Sequence, residues 1–142
     1  MQLLRWCEGV SDTVGVRHRL LASVALLLTA LDLVQKASAP VYGHPRGAAY
    51  VLVAAALSAL LVLAVPRVPS RPLAIAGGIA AAGAFGNLVS ALVWRGGIPN
   101  PIVVGEIAFN IADVCAVTGS VALVLGAAVF ALRHPALLRQ PI

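Results

Sequence analysis

Residues 107–132 read IAFNIADVCAVTGSVALVLGAAVFAL, a run that is long and apolar enough to cross a bilayer as a helix. The run contains one carboxylate, Asp113, and Asn110 precedes it by three residues, so on a helix the two side chains share one face. A carboxylate costs about 2.5–3.5 kcal/mol near the middle of a membrane-spanning helix. Asp113 is therefore expected to face the protein interior or water, and it is the centre of the candidate site.

The composition of this 142-residue chain excludes an ordinary soluble domain. Hydrophobic residues make up 61% of the chain and charged residues 11%, whereas soluble domains carry roughly 25% charged residues. The basic residues behind the net charge of +5 lie singly between apolar runs, which is typical of membrane orientation signals, so no nucleic-acid partner is expected. The two cysteines, Cys7 and Cys115, form no CxxC pair or disulfide framework. We expect no metal site and no cofactor.

Four apolar segments predict an all-α membrane protein with a four-helix bundle. The segments are residues 20–35, 47–66, 73–94 and 107–132. Both termini then lie on one side of the membrane, which receives seven basic residues against three on the other, and this predicts cytoplasmic termini. The domain organisation that follows is a cytoplasmic tail at 1–19, a membrane domain at 20–133, a second cytoplasmic tail at 134–142, and two longer extracytoplasmic loops.

Under this topology the polar residues inside the spans converge on the outer end of the bundle. Asp32 and Lys36 are spaced i, i+4 with the acid first, the favourable order for a helical pair. They form either a structural ion pair or a tether for a loop or a lipid headgroup. Asn87 follows two glycines that permit close packing, and its amide is either a helix–helix hydrogen bond or part of a ligand site. Residues 102–104 are predicted to be extended.

Four short motifs occur in order along the predicted spans: Leu31-Asp32-x-x-x-Lys36, Gly47-Ala48-Ala49-Tyr50, Gly83-x-x-Gly86-Asn87-Leu88 and Phe109-Asn110-x-Ala112-Asp113. Over roughly residues 20–130 the chain resembles the lipoprotein signal peptidases (signal peptidase II). The resemblance implies an intramembrane aspartic endopeptidase in the cytoplasmic membrane of a bacterium, cutting a lipid-modified prolipoprotein just before its diacylglyceryl cysteine. It implies that Asp113 is one of two catalytic aspartates. The other motif residues would then be substrate-binding or structural: Asn110, Asn87, Asp32, Lys36 and Gly47.

The second aspartate of that family is missing from this chain. In the family it belongs to a V-V-D-F-type motif before the fourth span, and Asn100 stands at the aligned position. Three further polar positions of the family also differ, and here they are Pro45, Ser90 and Ala91. Two carboxylates work as a pair because one keeps a proton while the other activates water. An amide cannot exchange that proton, and losing a general acid or base removes about 10²–10⁴-fold in rate.

Glu106 is the remaining carboxylate near Asp113 in the sequence. On a continuous helix the seven intervening steps would separate them by about 10 Å along the axis, so only an irregular backbone around Gly105 would bring them together. Three hypotheses stay open. The chain is an endopeptidase with Asn100 or Glu106 in the second role, a catalytically silent homologue that binds lipidated peptides, or a membrane scaffold. The expected partners are a lipid-modified prolipoprotein or lipopeptide and membrane lipids, and we expect a monomer.

Overall fold

A computed structural model of the chain describes residues 2–38 and 43–135, with side chains placed for 14–38, 43 and 45–135. These ranges contain four long helices, which are α1 (Gln2–Ser38), α2 (Ala48–Ala64), α3 (Arg71–Val93) and α4 (Ile111–Arg133). Each supplies a candidate membrane span by length and composition, and the span that begins with α2 continues through a short 3-10 turn, Val65–Arg67. The structure therefore confirms a mostly helical protein with four candidate spans. The orientation of the termini stays a prediction, and residues 136–142 of the predicted C-terminal tail lie outside the described residues.

Two of the predicted spans differ from the structure at their ends. α1 is helical from Gln2 to Ser38, so the helix extends beyond the predicted span of residues 20–35 at both ends, and no proline interrupts the polar segment before residue 20. The predicted span at 107–132 is wrong at its start, where residues 107–109 form a strand and α4 begins only at Ile111. Asn110 is the N-cap of α4 rather than a residue within it. A capping asparagine marks the start of a helix, so α4 begins at the next residue.

The α3 helix lies at the centre of the bundle and packs against the other three helices. Its small residues permit close approach to α4, because a Cβ at Gly83 would overlap the backbone of Ala116. A Cβ at Gly119 of α4 would likewise overlap the backbone of Ala80. The other three helices expose large apolar side chains along their length, as expected for surfaces that face lipid.

Two small antiparallel strand pairs lie over one end of the bundle. β1 (Gly43–His44) pairs with β2 (Ile98–Pro99), and β3 (Ile102–Val104) pairs with β4 (Ile107–Phe109). The first pair joins the α1–α2 connection to the α3–α4 connection, so both connections lie at the same end, called here the loop end. The opposite end, called the terminal end, carries the α2–α3 turn and the last residues of α4. The extended segment predicted at residues 102–104 is confirmed as β3.

Candidate functional site

Asp32 and Lys36 form a buried ion pair near the loop end of α1. The Lys36 Nζ lies 2.6 Å from Asp32 Oδ2, and neither side chain is more than 1% exposed. The same ammonium donates to Asn87 Oδ1 at 2.9 Å and to Ser90 Oγ at 3.0 Å. Because an ammonium has three protons, each proton of Lys36 has an acceptor, as a buried charge requires. The predicted ion pair is present within α1, and the hydrogen bonds of its ammonium to Asn87 and Ser90 join α1 to α3.

The second oxygen of Asp32 fixes the start of α4. Asp32 Oδ1 accepts a hydrogen bond from the backbone N–H of Ala112 at 2.8 Å. One turn further along α1, Gln35 Oε1 accepts from the backbone N–H of Ile111 at 3.3 Å. The first N–H groups of a helix have no partner within the helix. Side chains of α1 therefore supply the acceptors that the beginning of α4 lacks.

Asn110 and Asp113 form a reciprocal capping box at the start of α4. Asn110 Oδ1 accepts from the Asp113 N–H at 2.9 Å, and Asp113 Oδ2 accepts from the Asn110 N–H at 3.1 Å. The other oxygen, Asp113 Oδ1, accepts from Asn87 Nδ2 at 2.8 Å. Asn87 thus turns its oxygen towards Lys36 and its NH₂ group towards Asp113. The helix–helix hydrogen bond that was one interpretation of Asn87 is present.

Asp113 is one of the residues that line a shallow apolar cavity at the loop end. The cavity has a volume of about 320 Å³, and Asp113 lines it with Ile107, Phe109, Val114 and residues one turn further along α4. Asp113 is half-buried, whereas Asp32 is fully buried. A second, mostly apolar cavity of about 350 Å³ lies between α2, α3 and α4 and is lined by Asn87. The Asn87–Asp113 hydrogen bond therefore joins residues that line two different apolar cavities.

Asn100 lies within the same polar cluster, joined to Asp113 through Asn110. Asn100 Oδ1 accepts from Asn110 Nδ2 at 2.7 Å, and Asn100 Nδ2 donates to the Ala108 carbonyl at 3.2 Å. Asn110 Nδ2 also donates to the Pro99 carbonyl at 3.2 Å. Asn100 is buried and makes no direct hydrogen bond to Asp113 in the described part of the chain. Its amide attaches the β3–β4 hairpin to the cap of α4.

Glu106 is placed away from Asp113. The backbone around Gly105 is irregular, with φ +61°, but it forms the two-residue turn of the β3–β4 hairpin, and Glu106 is exposed there. The three residues of β4 span about 10 Å between that turn and the start of α4. Gly47 is also outside the cluster, as the exposed N-cap of α2. Of the predicted site residues, the structure brings together Asp32, Lys36, Asn87, Asn100, Asn110 and Asp113, but not Glu106 or Gly47.

Three further residues of the cluster were not singled out as site residues from the sequence. Ser90 accepts from Lys36 and donates to the Gly86 carbonyl at 2.5 Å. Gly86 leaves room for Asp32, because a Cβ there would lie 2.6 Å from Asp32 Oδ2. Gln35 accepts from α4. Helical spacing is the signal that would have found two of them, because Ser90 follows Asn87 by three residues and Gln35 follows Asp32 by three.

No family model, curated protein or solved structure matches this chain. The fold and site by themselves define a class, a multi-pass helical membrane protein with a buried polar cluster at one end of its bundle. Among the residues that the structure describes, no three His, Cys, Asp or Glu side chains come together as a metal site. The resemblance to a particular family is carried by the four motifs alone.

The cluster offers one carboxylate for interaction with a ligand. Each carboxylate oxygen has about two lone-pair sites, and each oxygen of Asp113 accepts one hydrogen bond from the described residues. Asp113 can therefore accept further hydrogen bonds from a water or a peptide N–H. Asp32 cannot serve as its acid–base partner, because Asp32 is buried and held by Lys36 and the Ala112 N–H.

Proposed function

We propose that this protein is a divergent lipoprotein signal peptidase homologue that binds lipid-modified prolipoproteins or lipopeptides at its loop end without cleaving them. One observation carries the proposal. The half-buried Asp113 lines an apolar cavity, and the residue that the motifs align with the family's second aspartate is an amide, Asn100, in the same polar cluster. The assignment to this family rests on the four sequence motifs. The membrane would be the cytoplasmic membrane of a bacterium, with both termini in the cytoplasm.

Binding of a lipidated peptide is supported by what surrounds Asp113. The cavity that Asp113 lines is almost wholly apolar, and ligand pockets are lined predominantly by apolar side chains. A peptide entering the membrane must satisfy its backbone N–H groups, and the free lone pairs of Asp113 can accept from them. The apolar walls would contact acyl chains or apolar side chains of the same ligand.

The absence of cleavage follows from the chemistry of the described carboxylates. Aspartic hydrolysis needs one carboxyl that holds a proton and one that is charged, close enough to share a water. The other two acidic side chains that the structure places are unsuitable, because Asp32 is neutralised by Lys36 and Glu106 is at an exposed turn. Asn100 can orient a water but cannot donate and recover a proton. The expected loss is about 10²–10⁴-fold in rate.

A second candidate function, the endopeptidase itself, is favoured by the position of Asn100. Its side chain lies in the cluster and is joined to Asp113 through Asn110. An aspartate at this position would still accept from Asn110 Nδ2, and its protonated form would donate to the Ala108 carbonyl in place of the amide. An aspartate at residue 100 would therefore find partners for both of its oxygens, which supports this second candidate.

The test uses the purified full chain in proteoliposomes with a lipid-modified prolipoprotein as substrate and a fluorescent lipopeptide as binding probe. We expect saturable lipopeptide binding and no cleavage by the unchanged chain. Cleavage should appear with Asn100→Asp and disappear again when Asp113→Ala is added. Glu106→Gln, on the exposed turn, is the matched control and should change neither readout.

Two results would contradict this proposal. Cleavage by the unchanged chain that is lost with Asp113→Ala would establish the endopeptidase function instead. No saturable lipopeptide binding, by either the unchanged chain or Asn100→Asp, would overturn both functions and leave the scaffold hypothesis.

A further inference from the structure

A third cavity, lined by both charged and apolar side chains, lies at the terminal end of the bundle, opposite the cluster around Asp113. Its volume is about 540 Å³, and it lies between the beginning of α3 and the end of α4. The apolar wall includes Leu73, Val129 and Phe130. Arg71 and Arg133 line the same cavity from the two different helices. Nothing in the proposed function uses this cavity.

Charge is distributed unequally between the two ends of the bundle. Among the side chains that the structure describes, the three acidic ones, Asp32, Glu106 and Asp113, lie at the loop end. Five arginines lie at the terminal end: Arg17, Arg19, Arg67, Arg71 and Arg133. The only ion pair among the described side chains is the one between Asp32 and Lys36. The described part of the terminal end therefore carries positive charge that no described carboxylate neutralises.

The arginines at this end differ in their use within the protein. Arg17 is buried and donates from Nε to the Pro66 carbonyl at 2.8 Å. Arg67 donates to the Leu63 carbonyl. Arg71 and Arg133 are exposed, and neither guanidinium donates to another described residue. These two are the arginines that line the cavity.

We propose that this cavity binds one anionic phospholipid, with its phosphate held by Arg71 and Arg133 and one acyl chain lying along the apolar wall. Guanidinium groups bind phosphate through paired N–H donors. Arg71 is the first residue of one candidate span and Arg133 the last of another, so both lie at the level where phospholipid headgroups are found. Basic pockets between membrane helices bind anionic headgroups.

The shape of the cavity favours a lipid over a free phosphate ion. Its apolar wall extends along α4 from Phe130 to Leu125, more than one helical turn into the bundle from Arg133. A free anion would use only the arginine end, whereas a phospholipid has both a phosphate and a hydrocarbon chain. His134 lines the cavity at the arginine end, and its ring stacks on Phe130 with centroids 4.4 Å apart.

The experiment measures lipid binding by the purified full chain in phosphatidylcholine nanodiscs with increasing phosphatidylglycerol. Retained lipid is counted by native mass spectrometry, and the Tm is recorded in parallel. We expect one tightly retained phosphatidylglycerol and a rise in Tm. Arg71→Gln combined with Arg133→Gln should weaken this binding about thirtyfold. Arg19→Gln combined with Arg67→Gln, at the same end but outside the cavity, removes the same charge and is the matched control, which should bind far more tightly than the cavity variant.

A second variant tests the contacts with the acyl chain separately from those with the headgroup. Gly126→Leu places a side chain on the apolar wall, where even a Cβ would lie 2.8 Å from Leu73 Cδ2, and it leaves the charge unchanged. We expect it to weaken phosphatidylglycerol binding. Equal binding by the Arg71/Arg133 variant and the Arg19/Arg67 variant, which lose the same charge, would overturn the proposal in favour of diffuse attraction. Displacement of phosphatidylglycerol by equimolar inorganic phosphate would also overturn it. The arginine comparison decides the matter even if Gly126→Leu fails to fold, because both arginines are exposed.

Discussion

Two carboxylates at the same end of this bundle have opposite surroundings. Asp32 is 1% exposed, and it pairs with the Lys36 ammonium and the backbone of α4. Asp113 is half-buried, accepts only from neutral N–H groups among the described residues, and lines a cavity. The difference teaches that an acid inside a membrane span has two separate uses. The contacts of Asp32 connect α1 to α4, whereas Asp113 retains lone pairs that the proposed function assigns to a ligand.

Removing the cation from Asp32 should have the largest effect on stability. Lys36→Met leaves a buried carboxylate without its ionic partner, and breaking such a pair costs about 3–5 kcal/mol. The free energy of unfolding in mixed micelles measures the loss. Combining Lys36→Met with Asp32→Leu is the control, and the double variant should recover part of the stability because an apolar pair can replace a buried ion pair. A loss below about 1 kcal/mol in the single variant would show that the pair does not stabilise the bundle.

Crowding Asp32 without changing any charge should have an intermediate effect. Gly86→Ala introduces a Cβ that would lie 2.6 Å from Asp32 Oδ2 and 3.0 Å from Ala112 Cβ. We expect a loss of about 1–3 kcal/mol, as for other overpacked sites, measured in the same unfolding assay. Gly15→Ala in α1 is the matched control, since no described atom outside its own helical turn lies within 4 Å of the added Cβ, and it should gain up to about 1 kcal/mol. Equal stability of the two variants would mean that Asp32 has room to move.

Neutralising Asp113 should have the smallest effect on stability and a larger one on binding. Asp113→Asn keeps the shape of the side chain but weakens the capping box, which costs about 0.5–2 kcal/mol. Lipopeptide affinity should fall, because the carboxylate offers acceptors to the ligand. Glu106→Gln should change stability by no more than about 0.5 kcal/mol and leave affinity unchanged. An affinity that falls with Glu106→Gln but not with Asp113→Asn would reverse the roles assigned to these two acids.

The sequence predicted those features that depend on residues close together in the chain, namely the helices and the contacts along one helix face. Hydropathy gave the four helices, because each span is a continuous apolar run. The i, i+4 spacing gave the Asp32–Lys36 pair, since residues four apart are neighbours on a helix. The polarity of a buried amide gave the interhelical hydrogen bond of Asn87.

The start of α4 could not be placed by the same reasoning. Residues 107–109 are as apolar as the helix that follows, and hydropathy alone does not separate a short strand from a buried helical turn. The capping asparagine was the available signal. Contacts distant in sequence were also out of reach, such as the one between Asn100 and Asn110 across a hairpin. The estimate of the Glu106–Asp113 separation assumed a continuous helix, and it does not apply because residues 107–109 belong to a hairpin.

The hydrogen bond from the Ala112 N–H to Asp32 joins residues 80 positions apart, and this has a consequence for biogenesis. The ion pair within α1 is local, so the ribosome releases the first helix with both charges already matched. The Oδ1 atom of Asp32 nevertheless obtains its hydrogen bond only after the last helix has been translated, because the donor is the Ala112 N–H. In a nascent chain that stops after α3, this carboxylate oxygen would lack the donor that α4 provides. The hydrogen-bonding of the helix synthesised first is therefore completed only by the helix synthesised last.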